Sequence, residues 1–114
     1  MEELTQLESV ERVLRESEET AVFVYKHSTA CSVSAEALRV VKSFLADAPA
    51  DSPPVYFVKV IESRPVSNAI AEAIAVPHKS PQLLLLKGRK AVWDASHFAI
   101  TKDAIRNAWK QGVS

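Results

Sequence analysis

Hydrophobic residues recur along this chain at two spacings, and each change of spacing predicts a new structural element. Over residues 4–14 they return every three or four positions, which predicts an amphipathic helix with its buried stripe at Leu4, Leu7, Val10, Val13 and Leu14. Residues 33–45 show the same spacing. They predict a second helix, whose apolar face is formed by Val33, Ala37, Val40, Val41, Phe44 and Leu45.

Two short runs are almost entirely apolar and rich in β-branched and aromatic residues. They cover residues 21–25 and 55–60, and they predict strands buried on both faces of a parallel sheet. The stretch 46–54 contains several prolines, which lack the amide donor of a helix, so it predicts a surface loop. A third helix is predicted at residues 64–74, with Pro65 in its first turn.

The last third of the chain predicts a hairpin followed by a helix. Residues 82–86 and 90–93 are strand-like and flank a tight turn containing glycine, which indicates an antiparallel pair. Thr101 is placed to cap a final helix, with an apolar face of Ala104, Ile105, Ala108 and Trp109. The earlier β-α-β order implies a parallel pair with a right-handed crossover. We therefore expect one α/β domain over residues 1–114, with a central mixed four-stranded sheet flanked by helices and an extra N-terminal helix.

Composition and charge exclude several classes of function. The chain has 114 residues, of which 47% are hydrophobic and 25% charged, as is usual for one soluble globular domain. Its net charge is zero and it has no basic run, so we expect neither nucleic acid nor an anionic membrane as a partner. The acidic start does not resemble a signal peptide, and no apolar stretch approaches the ~20 residues of a membrane span. A cytoplasmic location is the expectation.

The chain has a single cysteine, Cys31, between the first predicted strand and the second predicted helix. A helix start presents free backbone amides and the positive end of the peptide dipoles, which favour the reactive thiolate. Ser32 and Ser34 are placed to hydrogen-bond this thiolate. Because no second cysteine exists for an internal disulfide, any redox chemistry must be monothiol. Ser34 stands where a Cys-x-x-Cys protein carries its resolving cysteine, so a mixed disulfide on Cys31 is expected to live longer.

Plainer interpretations of these residues stay open at this point. A lone cysteine is often inert packing in a protein core. His27 could tune the thiolate, or it could be merely exposed or hydrogen-bonded at a strand end. His78 and His97 lie too far from Cys31 in sequence to match a compact zinc motif, so no metal site is expected.

The order of elements resembles that of the thioredoxin fold, and two details support this resemblance. Cys31 follows the first strand at the start of the crossover helix, where that fold carries its reactive cysteine. Ser80 and Pro81 precede the third strand, where thioredoxin-like proteins place a cis-proline loop that binds substrate. Ser96 and His97 follow the last strand, where similar glutaredoxin-like proteins hold the charged end of their thiol ligand, although they could simply lead into the last helix.

Four segments together resemble the monothiol bacilliredoxin family, namely residues 26–34, 66–71, 78–85 and 95–98. The resemblance implies a role in removing bacillithiol, a low-molecular-weight thiol, from oxidised proteins. It also implies Cys31 as the catalytic residue, bacillithiol as co-substrate with no tightly bound cofactor, and bacillithiolated proteins as partners. The candidate thiolate-tuning residues, Ser32, Ser34 and His27, follow from their positions around Cys31 and not from the resemblance. The implied substrate-binding residues are Thr29, Ser80, Pro81, Ser96 and His97.

The active-site segment also leaves two other functions open. Residues 31–34 resemble the Cys-x-x-Ser pattern of monothiol glutaredoxins, which can carry an iron–sulfur cluster between two subunits, but they lack the Gly-Phe of that pattern. A redox-inert binding module with the same fold is the third hypothesis. The sequence does not specify an oligomeric state.

Overall fold

A computed structural model of the chain describes residues 1–112. Every predicted helix and strand is present within these residues, with some shifts at the ends. The strands are β1 (Glu2–Glu3), β2 (Val22–His27), β3 (Val55–Lys59), β4 (Gln82–Lys87) and β5 (Lys90–Ser96). The helices are α1 (Leu7–Glu16), α2 (Ser32–Asp47), α3 (Arg64–Ile74) and α4 (Lys102–Gly112), and a 3₁₀ helix covers His97–Ala99.

The sheet has five strands in the described chain, in the order β1-β3-β2-β4-β5, where four were predicted. Strands β1, β3 and β2 are parallel, whereas β4 and β5 are antiparallel to their neighbours. The additional strand is the two-residue edge strand β1, which pairs with β3 and is extended by a 2.8 Å hydrogen bond from the Leu4 amide to the Phe57 carbonyl. Two glutamates carry no apolar alternation, so the residue pattern could not predict this strand.

The first helix begins later than its hydrophobic spacing predicts. Leu4 lies before α1 and is 0% exposed, in the core between β1 and the helix. Leu7 is the first helical residue and is 57% exposed, so its assignment to the buried stripe was wrong. Val10, Val13 and Leu14 are buried as predicted.

Alternate residues of the central strand face two separate cores. Val22 and Val24 of β2 belong to the core under α1 and α3, whereas Phe23 and Tyr25 belong to the core under α2 and α4. Both faces of β2 are therefore apolar, which explains why this strand appears as an unbroken apolar run in the sequence.

Pairing of the strands brings the ends of three elements together. Lys26, near the end of β2, lies opposite Gln82 at the start of β4, which in turn lies opposite Ser96 at the end of β5. Strands β2 and β5 are thus longer than predicted, and their C-terminal ends lie beside the N-terminal end of β4. The loop before α2, the loop before β4 and the 3₁₀ helix all meet at this end of the sheet, where the candidate site lies.

Candidate functional site

Cys31 occupies the N-cap position of α2 and is half-buried. Its backbone is extended, with φ −123° and ψ 125°, and its carbonyl accepts a 3.3 Å hydrogen bond from the Ala35 amide. Its own amide donates to the Ser28 carbonyl at 3.3 Å. The thiol is therefore at the helix start, as the sequence predicts, with a backbone held from both sides.

The surroundings of Cys31 favour the thiolate. The backbone amides of Ser34 and Val33 lower the pKa of the thiol, and the Ser34 hydroxyl adds to this effect against the opposing effect of partial burial. The Cys31 side chain forms no capping hydrogen bond in the structure, so these amides are available to the thiolate. Ser32, the first residue of α2, is exposed.

Ser34 is fully buried and held by two neighbours. Its hydroxyl oxygen accepts a hydrogen bond from the Ser28 amide at 3.2 Å, and its carbonyl accepts one from the Tyr25 hydroxyl at 2.9 Å. Burial, together with the nearby Cys31 thiolate, raises the pKa of Tyr25, so this hydroxyl stays protonated and remains a donor. The first turn of α2 is thereby fixed to the end of β2.

The sequence analysis did not identify Tyr25 as part of the site, because it appears there only as an aromatic strand residue. The alternation of β2 between the two cores was the available signal, since it directs residue 25 towards α2.

His27 contacts Tyr25, its Nδ1 lying 3.2 Å from the Tyr25 hydroxyl oxygen. Burial is the largest cause that lowers the pKa of His27, and the lysines at positions 59 and 42 lower it further, against the effect of Glu62. The imidazole is therefore neutral at neutral pH.

Thr29 lies in the exposed loop between β2 and Cys31, and its hydroxyl donates to the Glu62 carboxylate at 3.2 Å. This threonine forms part of the rim of a cavity of about 390 Å³ between α2 and β3.

The bond between Ser80 and Pro81 is cis, and it lies directly before β4. The Pro81 carbonyl accepts a 3.0 Å hydrogen bond from the His97 amide, which fastens the 3₁₀ helix to the cis-proline loop. Ser96 pairs with Gln82, the residue after the proline. The fold thus brings the predicted residues Ser80, Pro81, Ser96 and His97 to one place.

A second cavity, of about 130 Å³, separates the start of α2 from the 3₁₀ helix. Val33 and Glu36 line it on the helix side, and His97 and Phe98 line it on the other. Phe98 is 81% exposed, more than any other large apolar side chain of residues 1–112. Sequence analysis missed this residue because a lone phenylalanine in an irregular segment has no periodicity.

A buried polar cluster lies behind the cis-proline loop, on the opposite face of β2. Lys26 is 0% exposed, and its ammonium group donates to the Ser67 carbonyl at 3.2 Å and lies 3.5 Å from His78 Nδ1. Burial lowers the pKa of Lys26 to about 8. The Gln82 side-chain amide donates to the Pro77 carbonyl at 3.3 Å, while its oxygen has no partner in the described structure.

A cluster of metal ligands and a membrane-spanning helix are both absent from residues 1–112. No three side chains of histidine, cysteine, aspartate or glutamate come together there as a metal site would require. None of the helices in the same residues combines the length and apolar character needed to cross a bilayer.

Comparison with known proteins identifies the family of this chain. Residues 2–105 match the model of the monothiol bacilliredoxin family, BrxC. A solved structure described as a candidate oxidoreductase with a thioredoxin fold is 30% identical, with a TM-score of 0.80 over 94% of this chain and 91% of its own.

More distant structures show the same fold. Thioredoxin from Fasciola hepatica is 16% identical, with a TM-score of 0.74 over 97% of this chain and 98% of its own. Thioredoxin from Malassezia sympodialis is 14% identical, with a TM-score of 0.77 over 100% and 91% of the two chains. The predicted thioredoxin-like fold is confirmed, and the chain belongs to the monothiol bacilliredoxin family.

Proposed function

We propose that the protein is a monothiol thiol-disulfide oxidoreductase that reduces protein–bacillithiol mixed disulfides through a Cys31–bacillithiol intermediate. Family membership supports a thiol redox role. The observation that carries the reaction is the position of Cys31 at the start of α2, where the amides of Ser34 and Val33 lower its pKa. The thiolate is the nucleophile in disulfide exchange, so a lowered pKa supplies more of it at neutral pH.

The reaction proceeds by two thiol-disulfide exchanges. The Cys31 thiolate attacks the bacillithiol sulfur of the mixed disulfide, a new disulfide forms between Cys31 and bacillithiol, and the protein sulfur leaves as a thiolate with the electron pair. A second low-molecular-weight thiol then attacks the bacillithiol sulfur held on Cys31 and releases the Cys31 thiolate. Ser34, an alcohol, cannot replace this second thiol, so the intermediate persists until an external thiol arrives.

The remaining predicted residues take the following roles in the proposal. The backbone of Ser80 and Pro81 binds the substrate chain beside the reacting sulfur. Ser96, at the end of β5, and His97, in the adjacent 3₁₀ helix, also bind it. Thr29 contacts the small thiol. Ser32 and His27 support the thiolate. His27 acts through Tyr25, because the Tyr25 hydroxyl contacts the His27 ring and donates to the Ser34 carbonyl. The cytoplasm is the proposed location, since its thiols are kept reduced.

Intact-mass spectrometry tests this function. Reduced protein is mixed with a model protein carrying bacillithiol on its one cysteine, and both masses are followed. We expect the model protein to lose bacillithiol while the wild type gains one bacillithiol mass, and we expect Cys31→Ala to do neither. A model protein that stays modified, with no adduct on the wild type, would refute the proposal. An inert module would also show slow alkylation of Cys31, and a cluster carrier would show visible absorbance when purified.

A further inference from the structure

The cavity beside Thr29 lies on the opposite side of Cys31 from the cis-proline loop. In the sheet, β3 and β1 flank β2 on one side, and β4, which follows Pro81, flanks it on the other. This cavity, of about 390 Å³, lies on the β3 side, between the sheet and α2. Its lining consists of Met1, His27, Thr29, Leu38, Lys42, Phe57 and Lys59.

The charged side chains of this cavity are mainly cationic. Lys42 and Lys59 both line it, and both lower the pKa of the neighbouring His27. Lys59 has a carboxylate partner, Glu3, at 3.9 Å. Lys42 has neither a hydrogen bond nor an ion pair in the described part of the chain, so its ammonium group is available to a ligand. The nearby Glu62 carboxylate accepts the Thr29 hydroxyl at the rim.

Apart from the lysines, the lining combines the polar residues His27 and Thr29 with the apolar residues Met1, Leu38 and Phe57. A concave apolar surface with a few convergent charged groups is typical of a small-molecule site. The smaller cavity on the other side of Cys31 has no lysine or arginine in its lining, and its one carboxylate, Glu36, is paired with Arg39. Of these two cavities, only the one on the β3 side is therefore lined by lysine side chains.

We propose that the cavity between α2 and β3 binds the carboxylate-bearing part of the low-molecular-weight thiol, with Lys42 as the main contact and Lys59 as the second. This inference rests on the proposed function, because it concerns the same thiol. Thr29, at the rim of the cavity, is two residues from Cys31, a span of at most about 7 Å. Lys42 lies ten residues after Ser32 in α2, about 15 Å along the helix, so the bound thiol must be extended to reach its ammonium group. In this proposal the carboxylates lie on the side of Cys31 away from the 3₁₀ helix, and not at Ser96 and His97, where the resemblance to glutaredoxin-like proteins led us to expect the charged end of the thiol.

This placement determines which sulfur is attacked. When the carboxylates of the small thiol are held on the β3 side, its sulfur lies next to Cys31, and the protein part of the mixed disulfide extends towards Pro81 and His97. Attack on the small-thiol sulfur then leaves that thiol on Cys31 with its carboxylates still bound, and the protein thiolate is free to depart. The opposite attack would join Cys31 to the protein substrate.

The experiment compares two substrates in each variant. A model protein with one cysteine carries either bacillithiol, whose malate group is anionic, or mercaptoethanol, which is uncharged. The measured quantity is the ratio of the reduction rate with bacillithiol to the reduction rate with mercaptoethanol. In the double variant Lys42→Gln with Lys59→Gln we expect this ratio to fall about tenfold, a change of about 1.4 kcal/mol. The wild-type ratio falls as salt increases, because exposed charges are screened. Lys90→Gln, at the opposite end of the sheet, is the matched control and keeps the wild-type ratio.

Two results would overturn the cavity assignment while leaving the proposed function intact. One is an unchanged ratio in the double variant, with wild type reducing both substrates. The other is an equal slowing with both substrates, because the lysines would then act on Cys31 or on the fold and not on carboxylates. If the wild type reduced neither substrate, the proposed function itself would fail, and the inference with it.

Discussion

Ser34 lowers the pKa of the Cys31 thiol through both its backbone and its side chain. Its amide is the largest cause that lowers the pKa of Cys31, and its hydroxyl adds a smaller effect while accepting the Ser28 amide. A residue in the position of a resolving cysteine thus contributes to acidity without contributing a thiol. Two functions of that position, thiolate stabilisation and disulfide formation, are therefore separate in this protein.

Ser34→Ala removes the hydroxyl and leaves the backbone amide in place. We expect the pH profile of Cys31 alkylation to shift to higher pH, because the thiolate loses one stabilising partner. At neutral pH we expect the alkylation rate to fall roughly two- to tenfold, because the lost hydrogen bond contributes about 0.5–1.5 kcal/mol. Iodoacetamide labelling followed by mass over a range of pH measures this. Ser43→Ala, at an exposed serine farther along α2, is the control, and an equal shift in that variant would show that the Ser34 hydroxyl is not the cause.

Lys26 is a charged residue in a place that disfavours charge. Its pKa in the folded protein is about 8, against 10.5 as the ordinary value, because it is buried. Between these two values the unfolded chain binds the proton and the folded protein releases it. Stability therefore rises with pH across this window.

We expect Lys26→Met to remove this contribution. The free energy of unfolding of the variant should exceed that of the wild type by about 1–3 kcal/mol near pH 7, because a buried charge is replaced by an apolar chain. The difference should shrink as pH rises from about 8 to about 10.5. Urea unfolding at several pH values checks this, since other titrating groups are common to both proteins. A difference that stays constant with pH would show that Lys26 is charged throughout.

At the scale of elements, helix starts in this chain are stabilised in different ways. Thr101 caps α4 through its hydroxyl oxygen, which accepts the Ala104 amide at 3.1 Å. Gln6 precedes α1 without any side-chain cap. Cys31 holds the equivalent position before α2, and the amides that a cap would occupy are left for the thiolate. The candidate site thus lies at a helix start that lacks a side-chain cap.

Thr101→Ala should destabilise the protein by about 1 kcal/mol, because it leaves an amide of α4 without its partner. Gln6→Ala, at a position that makes no capping hydrogen bond, should change the free energy of unfolding by less than about 0.5 kcal/mol. Thermal unfolding of the two variants beside wild type measures both effects. Equal destabilisation would mean that the Thr101 hydroxyl does not act as a cap.

Sequence patterns predicted elements well where apolar spacing is regular, as in α2, α3 and β2. They wrongly placed Leu4 in the first helix, although it is buried as predicted. A buried residue beside an edge strand has the same spacing as one on the next helix. The patterns also missed Lys26 and Tyr25, whose roles come from pairing between β2 and elements distant in sequence. Local spacing carries no information on such contacts. The positions of Cys31 and Ser34 at the start of α2 were predictable because a helix start is a local feature.

At the scale of the whole molecule, the sheet joins two cores that lie on its opposite faces. Leu4 belongs to the core under α1 and α3, whereas Trp93 and Trp109 pack against the core under α2 and α4. Strands β2, β3 and β4 contribute residues to both cores. If the chain is one domain, as its sequence predicts, neither core can unfold without the other.

Leu4→Ala tests this coupling. The substitution opens a space in the first core, and we expect a loss of about 2–5 kcal/mol, whereas Leu7→Ala on the exposed surface should cost less than about 1 kcal/mol. Tryptophan fluorescence reports on the second core and circular dichroism on the whole backbone. Both signals should shift by the same amount in Leu4→Ala, because a single domain of this size unfolds cooperatively. If the tryptophan transition stayed at its wild-type midpoint while the backbone signal moved, the two cores would be separate folding units.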